Sequence, residues 1–421
     1  MAEEMQIRKL TAEHDLEQYN DLLRYAFQVT EKQLLDYGWE NEDIRQSKMP
    51  VLEKARVIGW FDQGHLASQF AVYPLKMNIF NHIYRIGFVT SVATYPEYTG
   101  LGLMSGLMRR SLEEMREMGE CLAILYPFSI PLYRHRGWEI ISDKMSFRIK
   151  DNQLPHKIRI GGYVRRVEEN NPDLKRLHNI FAAQTHGCLL RNELAWEEYW
   201  RWDVEDTTVA IYYDDLDTPT GYMVYLLKDN IMHIKEMIYL DVGAWKGLWK
   251  YISAHESMVD EVVGNNYSNE SIAFWLEDSD IRETIRPYIM GRIVDVVQFL
   301  EQYRFKNSRG GEEFTFRVRD PFLEWNNRPF SVRVADNGSA EVLPGEGAHP
   351  VELDIGILTA LLLSYKSPSY LQKLGRLKTD PETLNLLERL IPKEKAYISD
   401  YIGSGAPAEK KLSIAQRNGE Q

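Results

Sequence analysis

The chain has 421 residues, of which 44% are hydrophobic and 12% aromatic, and its formal net charge at pH 7 is −12. This length and apolar content predict about two to four globular domains and exclude a disordered chain. The acidic balance argues against general nucleic-acid binding, which needs a basic face. It suits a cationic substrate, although the solubility of an acidic protein explains it equally well.

The sequence contains no run of about 18 apolar residues, and its first residues are charged. We therefore expect neither a membrane span nor a signal peptide, and we place the protein in the cytoplasm. The two cysteines, Cys121 and Cys188, lack metal-ligand spacing, and so few cysteines suit a reducing compartment. We assign them no chemistry and expect no metal site.

The first hundred residues predict a helix followed by strands. Apolar residues recur at helical spacing within 16–35, and the aromatic segment 36–40 follows as a lid. Residues 55–61 and 66–75 predict a hairpin around Asp62-Gln63-Gly64, and 75–86 predicts a further strand. This order of elements places strands before the stretch 88–138.

The stretch 88–138 predicts a strand, a glycine turn, a helix, a second strand and an aromatic loop. Pro96 ends the first strand because proline cannot donate to a sheet ladder. Gly100 and Gly102 follow, and helical spacing of apolar residues begins at Leu103. The backbone N–H groups of 99–104 therefore point out of an unfinished helix end that suits phosphate, and the glycines leave room for it. A plain strand-to-helix connection is the alternative.

A second unit with the same order of elements begins near residue 157. It has predicted helices at 172–184 and 194–202, strands at 208–213, 221–227 and 232–240, and a helix at 245–255. Its turn holds one glycine, Gly243, and begins with Asp241, which is a good N-cap but repels phosphate. We infer a degenerate copy that has lost the phosphate site.

The second unit also carries a mixture of aromatic and acidic side chains. Such a mixture suits a polycation through charge and cation–π contact, although a helix with an apolar stripe and a solvated face is the commoner meaning. The residues are Trp196, Glu197, Glu198, Trp200, Trp202, Asp203, Glu205 and Asp206.

The last part of the chain predicts a separate α+β unit. A helix is expected from Arg292, strands at 313–318 and 330–335, a turn at Asp336-Asn337-Gly338, and a helical region at 356–389. The tail 403–421 is rich in small and charged residues and has little to bury, so we expect it to be mobile.

The glycine turn resembles the fingerprint Q/R-x-x-G-x-G/A of the GNAT superfamily of acetyl-CoA-dependent N-acetyltransferases. Residues 99–104 keep the central glycine, while Thr99 and Met104 replace the first and last consensus residues. An earlier register would keep both glycines and begin at Glu97. The loop PFSIPLYRHRGWE, with its Tyr-x-x-x-Gly-aromatic ending, resembles the Eis branch (enhanced intracellular survival proteins), as do the chain length and the three-part layout.

The resemblance implies an α+β protein with tandem GNAT folds, built on mixed and mostly antiparallel sheets, and a C-terminal sterol-carrier-protein-like α+β domain. We accordingly predict a catalytic GNAT domain at 1–150, a degenerate GNAT domain at 151–290, a sterol-carrier-like domain at 291–402 and a flexible tail at 403–421. Oligomerisation and closure of the active site are the roles expected of the third domain. The resemblance further implies a homo-oligomer, in the form of a hexamer.

The resemblance also assigns roles to individual residues. Tyr133 would donate a proton to the departing CoA thiolate, and a buried core tyrosine is its structural alternative. Tyr25, Phe27 and Trp39 would contact the acceptor, or else close the core. The acetyl-CoA site would consist of Val92, Thr94, Thr99, Gly100, Leu101, Gly102, Leu103, Met104 and Ser129.

The predicted reaction is the direct attack of an amine of a cationic acceptor, such as an aminoglycoside-like polyamine or a lysine, on the acetyl thioester. In better-known relatives the terminal carboxylate serves as the base, but here nineteen residues follow Ile402. The base is then Gln421 at the end of a folded-back tail, another carboxylate or a water chain, unless activity is impaired. The alternatives are an acyl-CoA-binding or regulatory protein without turnover and, less favoured, a lipid carrier.

Overall fold

The computed structural model describes residues 5–36, 39–201, 207–268, 270–343 and 345–402. The predicted tail 403–421 therefore lies outside the described residues, as do the acidic and aromatic residues Trp202, Asp203, Glu205 and Asp206. Among the described residues, no helix combines the length and the apolar character needed to cross a bilayer.

The structure is an α+β fold. Its strands are β1 (Gln6–Lys9), β2 (Arg56–Asp62), β3 (His65–Ile79), β4 (His82–Thr94), β5 (Leu122–Leu125), β6 (Glu139–Lys150), β7 (Tyr163–Val167), β8 (Leu189–Leu190), β9 (Thr207–Tyr213), β10 (Pro219–Lys228), β11 (Ile231–Tyr239), β12 (Glu261–Asn266), β13 (Arg282–Ile293), β14 (Glu312–Arg319), β15 (Pro329–Val334), β16 (Ala340–Leu343), β17 (Pro350–Asp354) and β18 (Leu377–Lys378). Its helices are α1 (Ala12–Phe27), α2 (Glu31–Asp36), α3 (Asn41–Gln46), α4 (Met49–Lys54), α5 (Leu103–Glu117), α6 (Ile130–Arg134), α7 (Pro172–Gln184), α8 (Glu193–Trp200), α9 (Val242–Ser253), α10 (Val296–Gln302), α11 (Ile355–Leu362), α12 (Pro368–Lys373) and α13 (Pro381–Leu390).

One mixed, mostly antiparallel sheet of 13 strands runs through the first two units. Its strand order is β1-β2-β3-β4-β5-β13-β6-β12-β11-β10-β9-β7, and β8 pairs with β3 outside this path. Strand β13, which comes late in the chain, lies between β5 and β6, while β6 also pairs with β12. The two GNAT-like units therefore share strands and hydrogen bonds across residue 150.

The C-terminal unit has a sheet of five strands in the order β16-β15-β14-β17-β18. Helix α11 is apolar on every side and all its residues are buried, because it packs against β14 and β17 of this sheet and against β6 and β13 of the large sheet. A helix that is hydrophobic all round must be packed on every side to be shielded from water. Helix α11 thus joins the C-terminal unit to the GNAT-like units.

Several predicted elements are found where the sequence pattern places them. Strands β2 and β3 form the hairpin around Gln63 and Gly64, both of which have positive φ. Helix α7 spans the predicted residues, and α5 begins directly after Gly102. The C-terminal turn at Gly338 also connects two antiparallel strands.

Other predicted boundaries are wrong. The expected single strand 75–86 contains a tight turn at Phe80 and Asn81, both in the left-handed region, where Asn81 N donates to Asn78 Oδ1 at 2.8 Å. Asn78 and Asn81 are turn-forming residues, so the sequence carried a signal that the prediction did not use. The helix expected from Arg292 begins at Val296, because β13 continues to Ile293 and Asp295 caps the helix. The predicted helix 16–35 breaks at Gln28, and the region 356–389 breaks into three helices and strand β18.

Candidate acyl-transfer site

The candidate site begins at a gap between two parallel strands. Strands β4 and β5 pair only from Ile86 opposite Leu122 to Val89 opposite Leu125. There β5 ends, whereas β4 runs on to Thr94. Within the described part of the chain, no strand replaces β5 beside the last residues of β4. The backbone near Val92 and Thr94, which we predict to contact pantetheine, therefore borders an open gap.

A β-bulge shapes the end of β4. The register with β3 shifts by one residue between Thr90 and Ala93, and Ser91 has a φ of 54°. A bulge of this kind bends a strand and changes the direction of its side chains and backbone groups. Beyond it, the Thr94 hydroxyl lies 2.7 Å from Ser68 Oγ, which contacts Ala93 O at 3.1 Å. Sequence reasoning missed Ser91, since nothing in its neighbours indicates positive φ.

The glycine turn leaves its backbone accessible. Gly100 and Gly102 have φ values of 87° and 78°, and a Cβ at either position would meet nothing within 4 Å. The first α-helical hydrogen bond of α5 runs from Gly106 N to Gly102 O at 3.0 Å. Gly102 has no side chain to cap the N–H groups of 103–105, which have no partner among the described residues. Thr99 and Leu101 are exposed in the same turn.

A cation that sequence reasoning missed lies at this helix end. The Arg136 guanidinium contacts Ser105 Oγ in the first turn of α5 and also donates to Leu132 O at 2.7 Å. Burial lowers the pKa of Arg136, yet a guanidinium remains charged at pH 7. Open N–H groups next to a fixed cation favour an anion. The signal available in the sequence was the pair of arginines, Arg134 and Arg136, in the downstream loop.

Tyr133 lies on the short helix α6, which follows Ser129 and holds Pro131 in its first turn. The residue is 5% exposed, and its ring meets Trp138 edge to face at a centroid distance of 6.0 Å. Burial raises the pKa of Tyr133 to about 12, although the charge of Arg136 lowers it. The hydroxyl is therefore neutral at pH 7, and no side chain or backbone group of the described residues bonds to it.

The structure brings several predicted site residues together. Val92 and Met104 pack against the apolar cluster that contains Tyr133, together with Leu125 at the end of β5. Leu103 is buried, and its carbonyl accepts from Trp60 Nε1 at 3.1 Å. The end of β4, the start of α5 and Tyr133 thus contribute to one apolar cluster beside the C-terminal ends of β4 and β5. The burial of Tyr133 also suits a core tyrosine, so its catalytic role stays a prediction.

Gly137 keeps the aromatic loop in place. Its φ is 80°, and a Cβ there would overlap the guanidinium of Arg292. The buried Arg292 donates to Arg136 O and pairs with Asp320 Oδ2 at 2.6 Å. Strand β13 and the C-terminal unit therefore support the loop that carries Tyr133 and Arg136.

The three predicted acceptor contacts occupy different environments. Tyr25 is exposed, and its ring lies 5.4 Å from that of Tyr95, the residue after β4. Phe27 packs against the main core, and Trp39 is half-buried. Tyr25 thus contacts the residue that follows the strand end, and the binding roles of all three stay predictions.

The second unit differs at the corresponding helix start. Strands β11 and β12 again pair in parallel over four residues, from Ile231 opposite Glu261 to Ile234 opposite Gly264. However, the Asp241 carboxylate caps α9 by accepting from Ala244 N at 2.8 Å. This confirms the predicted N-cap and places a negative charge where α5 has an open turn.

Comparison with known proteins identifies the three units. Residues 6–141 and residues 187–293 each match a family model described as an acetyltransferase (GNAT) domain. Residues 296–399 match a sterol carrier protein domain. These matches confirm the predicted fold class of two GNAT folds with a sterol-carrier-like domain.

Whole-chain relatives share this architecture. A crystal structure from Enterococcus faecalis V583, described as a probable N-acyltransferase, superposes with a TM-score of 0.86 at 25% identity and covers 95% of this chain and 100% of its own. Eis1 from Mycobacterium abscessus superposes with a TM-score of 0.79 at 18% identity, covering 95% and 100%. An uncharacterised N-acetyltransferase of Streptomyces griseus is 21% identical in an alignment of 376 positions, which covers 81% of this chain and 88% of that protein.

Proposed function

We propose that this chain, an Eis-like GNAT N-acetyltransferase, transfers the acetyl group of acetyl-CoA directly to an amine of a cationic acceptor within a ternary complex. The observation that carries the proposal is the open glycine turn at α5, because the helix that it begins shares an apolar cluster with the end of β4, where the gap beside β5 opens. A cytoplasmic location and a homo-oligomer, with a hexamer implied by the resemblance, belong to the same proposal.

The residues present fit acetyl-CoA as co-substrate. The N–H groups of 103–105, which have no partner among the residues that the structure describes, and the cation of Arg136 suit a pyrophosphate, and Gly100 and Gly102 leave room for it beside the main chain. The unpaired edge of β4 near Val92 and Thr94 suits the amides of a pantetheine arm. When bound, acetyl-CoA would supply an activated acetyl thioester.

Tyr133 is suited to act as an acid in this reaction. Because its pKa is raised to about 12, the hydroxyl holds its proton at pH 7 and serves as a donor to a developing thiolate. Tyr133 belongs to the same apolar cluster as Val92 and Leu125, which lie near the point where β4 and β5 separate, and this supports the role. Ser129, which begins the same short helix, borders this loop.

The acceptor must arrive as a neutral amine. For a lysine-like amine of pKa about 10.4, the free base costs about 4 to 5 kcal/mol at pH 7. The site must therefore provide a proton acceptor for the amine and must hold the two reactants close together to reach a useful rate. The net charge of −12 favours the approach of a cationic acceptor.

The experiment is to measure CoA-thiol release from acetyl-CoA over a panel of polyamines, aminoglycosides and a lysine peptide, with product masses to count added acetyl groups. Release that depends on the acceptor, with a mass gain of one or more acetyl groups, is expected. If acetyl-CoA raises the melting temperature but no acceptor gives release, the chain is a binding or regulatory protein instead. A lipid extracted from the purified protein would favour the carrier alternative.

A further inference from the structure

Three tyrosine rings from distant parts of the sequence meet just beyond β5. The ring centroid of Tyr126 lies 5.5 Å from that of Tyr288 and 5.1 Å from that of Tyr401, and both pairs are edge to face. Tyr126 is 37% exposed, Tyr401 is half-buried, and Tyr288 is buried behind them. We call Tyr126 and Tyr401, the two accessible members, the tyrosine wall.

The tyrosine wall stands at the mouth of the candidate site. Tyr126 directly follows Leu125, the last residue of β5 that pairs with β4. Its ring therefore lies where the two strands separate, which is the region assigned above to the reacting thioester. An acceptor amine that enters this gap from the face of the sheet that carries Tyr288 passes close to Tyr126.

Tyr401 reaches this place because the segment 396–402 is folded against the second unit. Tyr397 N donates to His186 O at 2.8 Å. Gly187, with a φ of 85°, has no Cβ to collide with Ala396, which lies 2.6 Å from the position that a Cβ would take. Further along, Tyr288 Oη donates to Asp400 O at 3.2 Å.

Arg191 is the main anchor of that segment. Its side chain is fully buried, with Nε 2.7 Å from Asp400 Oδ1 and Nη2 2.7 Å from Glu236 Oε1. The ring of Tyr199 covers the guanidinium at 4.2 Å. A buried guanidinium held by two carboxylates and a ring has little freedom to move. Arg191 therefore fixes Asp400 and, through the backbone, its neighbour Tyr401.

The surroundings of the tyrosine wall suit an organic cation. The Lys144 ammonium lies 5.6 Å from the ring centroid of Tyr288, so one ring of the cluster already makes a cation–π contact. Two carboxylates, those of Glu236 and Asp400, bond to the guanidinium of Arg191, and Asp400 is the neighbour of Tyr401. Aromatic faces attract ammonium groups.

We propose that the tyrosine wall binds a second ammonium group of the acceptor, one that does not react, and that Arg191 is a positioning residue that acts through Asp400 and Tyr401. The inference rests on the proposed function and narrows its acceptor to amines that carry at least two cationic groups. Selectivity for such amines is the property that the wall supplies.

The test compares a straight-chain aliphatic diamine with the monoamine of the same length, since only the distal ammonium differs. In Tyr126→Leu and Tyr401→Leu, kcat/KM for the diamine should fall about 10-fold more than kcat/KM for the monoamine. Tyr370→Leu, at an exposed tyrosine on α12, is the matched control. Melting temperatures establish that each variant is folded.

Arg191 is tested by Arg191→Lys, alone and combined with Tyr401→Leu. Arg191→Lys should lower selectivity for the diamine, but it should add no further loss once Tyr401 is leucine. Equal losses for diamine and monoamine, or no loss for either, overturn the inference while the wild type still turns over. A wild-type protein that releases no CoA thiol with any amine overturns the proposed function itself, and the inference with it.

Discussion

The Arg136 guanidinium binds Ser105 Oγ through Nε at 3.0 Å and through Nη2 at 2.8 Å, so the aromatic loop is joined to the first turn of α5. The loop that carries Tyr133 and the helix end that suits a pyrophosphate are therefore held in one fixed geometry. Arg136 contributes to this link both a hydrogen-bond donor and a positive charge.

Removal of this cation should weaken binding of the nucleotide part of acetyl-CoA. For Arg136→Gln we expect the KM for acetyl-CoA to rise about 10-fold, because a charged hydrogen bond to phosphate is worth about 1.5 to 3 kcal/mol. Steady-state kinetics with acetyl-CoA and with acetyl-pantetheine, which lacks the pyrophosphate, checks this. With acetyl-pantetheine as the acetyl donor, the KM should be the same for Arg136→Gln and for the wild type.

Arg134→Gln is the matched control for Arg136→Gln. It removes the same charge from the same loop, but Arg134 binds Glu139, with Nη2 2.6 Å from Oε1. Its KM for acetyl-CoA should stay within about twofold of the wild-type value. A comparable rise in both variants would mean that the loop's overall charge acts, rather than the contact with α5.

Gly102→Ala should distinguish the effect of backbone strain on stability from the effect of a lost pyrophosphate site on binding. A φ of 78° costs alanine about 1 kcal/mol of stability, although the Cβ meets no neighbour. Gly375 has a φ of 68° and equally open space, but it lies in the C-terminal unit. Thermal unfolding should show similar losses for Gly102→Ala and Gly375→Ala, whereas only Gly102→Ala should raise the KM for acetyl-CoA. If the two variants have equal KM values for acetyl-CoA, the glycine turn is not part of the acetyl-CoA site.

Tyr133→Phe should keep acetyl-CoA affinity and lose about 10²- to 10⁴-fold in kcat, as expected for removal of a general acid. Because burial raises the pKa of Tyr133 to about 12, the wild-type rate should show no descending limb from this group between pH 7 and 10. Calorimetric titration with acetyl-CoA and a pH–rate profile measure the two properties. An unchanged kcat would reduce Tyr133 to a core residue, and Tyr370→Phe serves as the control.

The parts of the fold that are determined by residues close together in the sequence were predictable. Glycines at 100 and 102 followed by apolar spacing gave the start of α5, and α7 was predicted to the residue. The position of β13 between β5 and β6 was not predictable, because strand order depends on pairing between residues far apart in the sequence. For the same reason Arg136 and the tyrosine wall emerged only from the structure.

Two buried histidines should make the protein sensitive to mild acid. Burial lowers the pKa of His178 and of His186 to about 4, below the value near 6.5 of an unfolded chain. As the pH falls, the unfolded state therefore binds protons before the folded state does. The contribution of the two neutral histidines to the free energy of unfolding is fully present above about pH 6.5 and is lost as the pH falls towards 4. Each histidine should contribute a slope of up to about 1.4 kcal/mol per pH unit in this window.

His186→Gln tests this slope while it keeps a donor for Leu363 O, which lies 3.2 Å from His186 Nε2. The variant should be less stable at pH 8, because it loses the ring stacked on Phe80 at 3.8 Å, but its free energy of unfolding should fall less steeply between pH 6.5 and 4.5. Urea unfolding at several pH values measures both effects. His14→Gln, at an exposed histidine, is the control for the loss of a surface imidazole. A His186→Gln slope equal to that of the wild type would show that the His186 ring takes up its proton without unfolding.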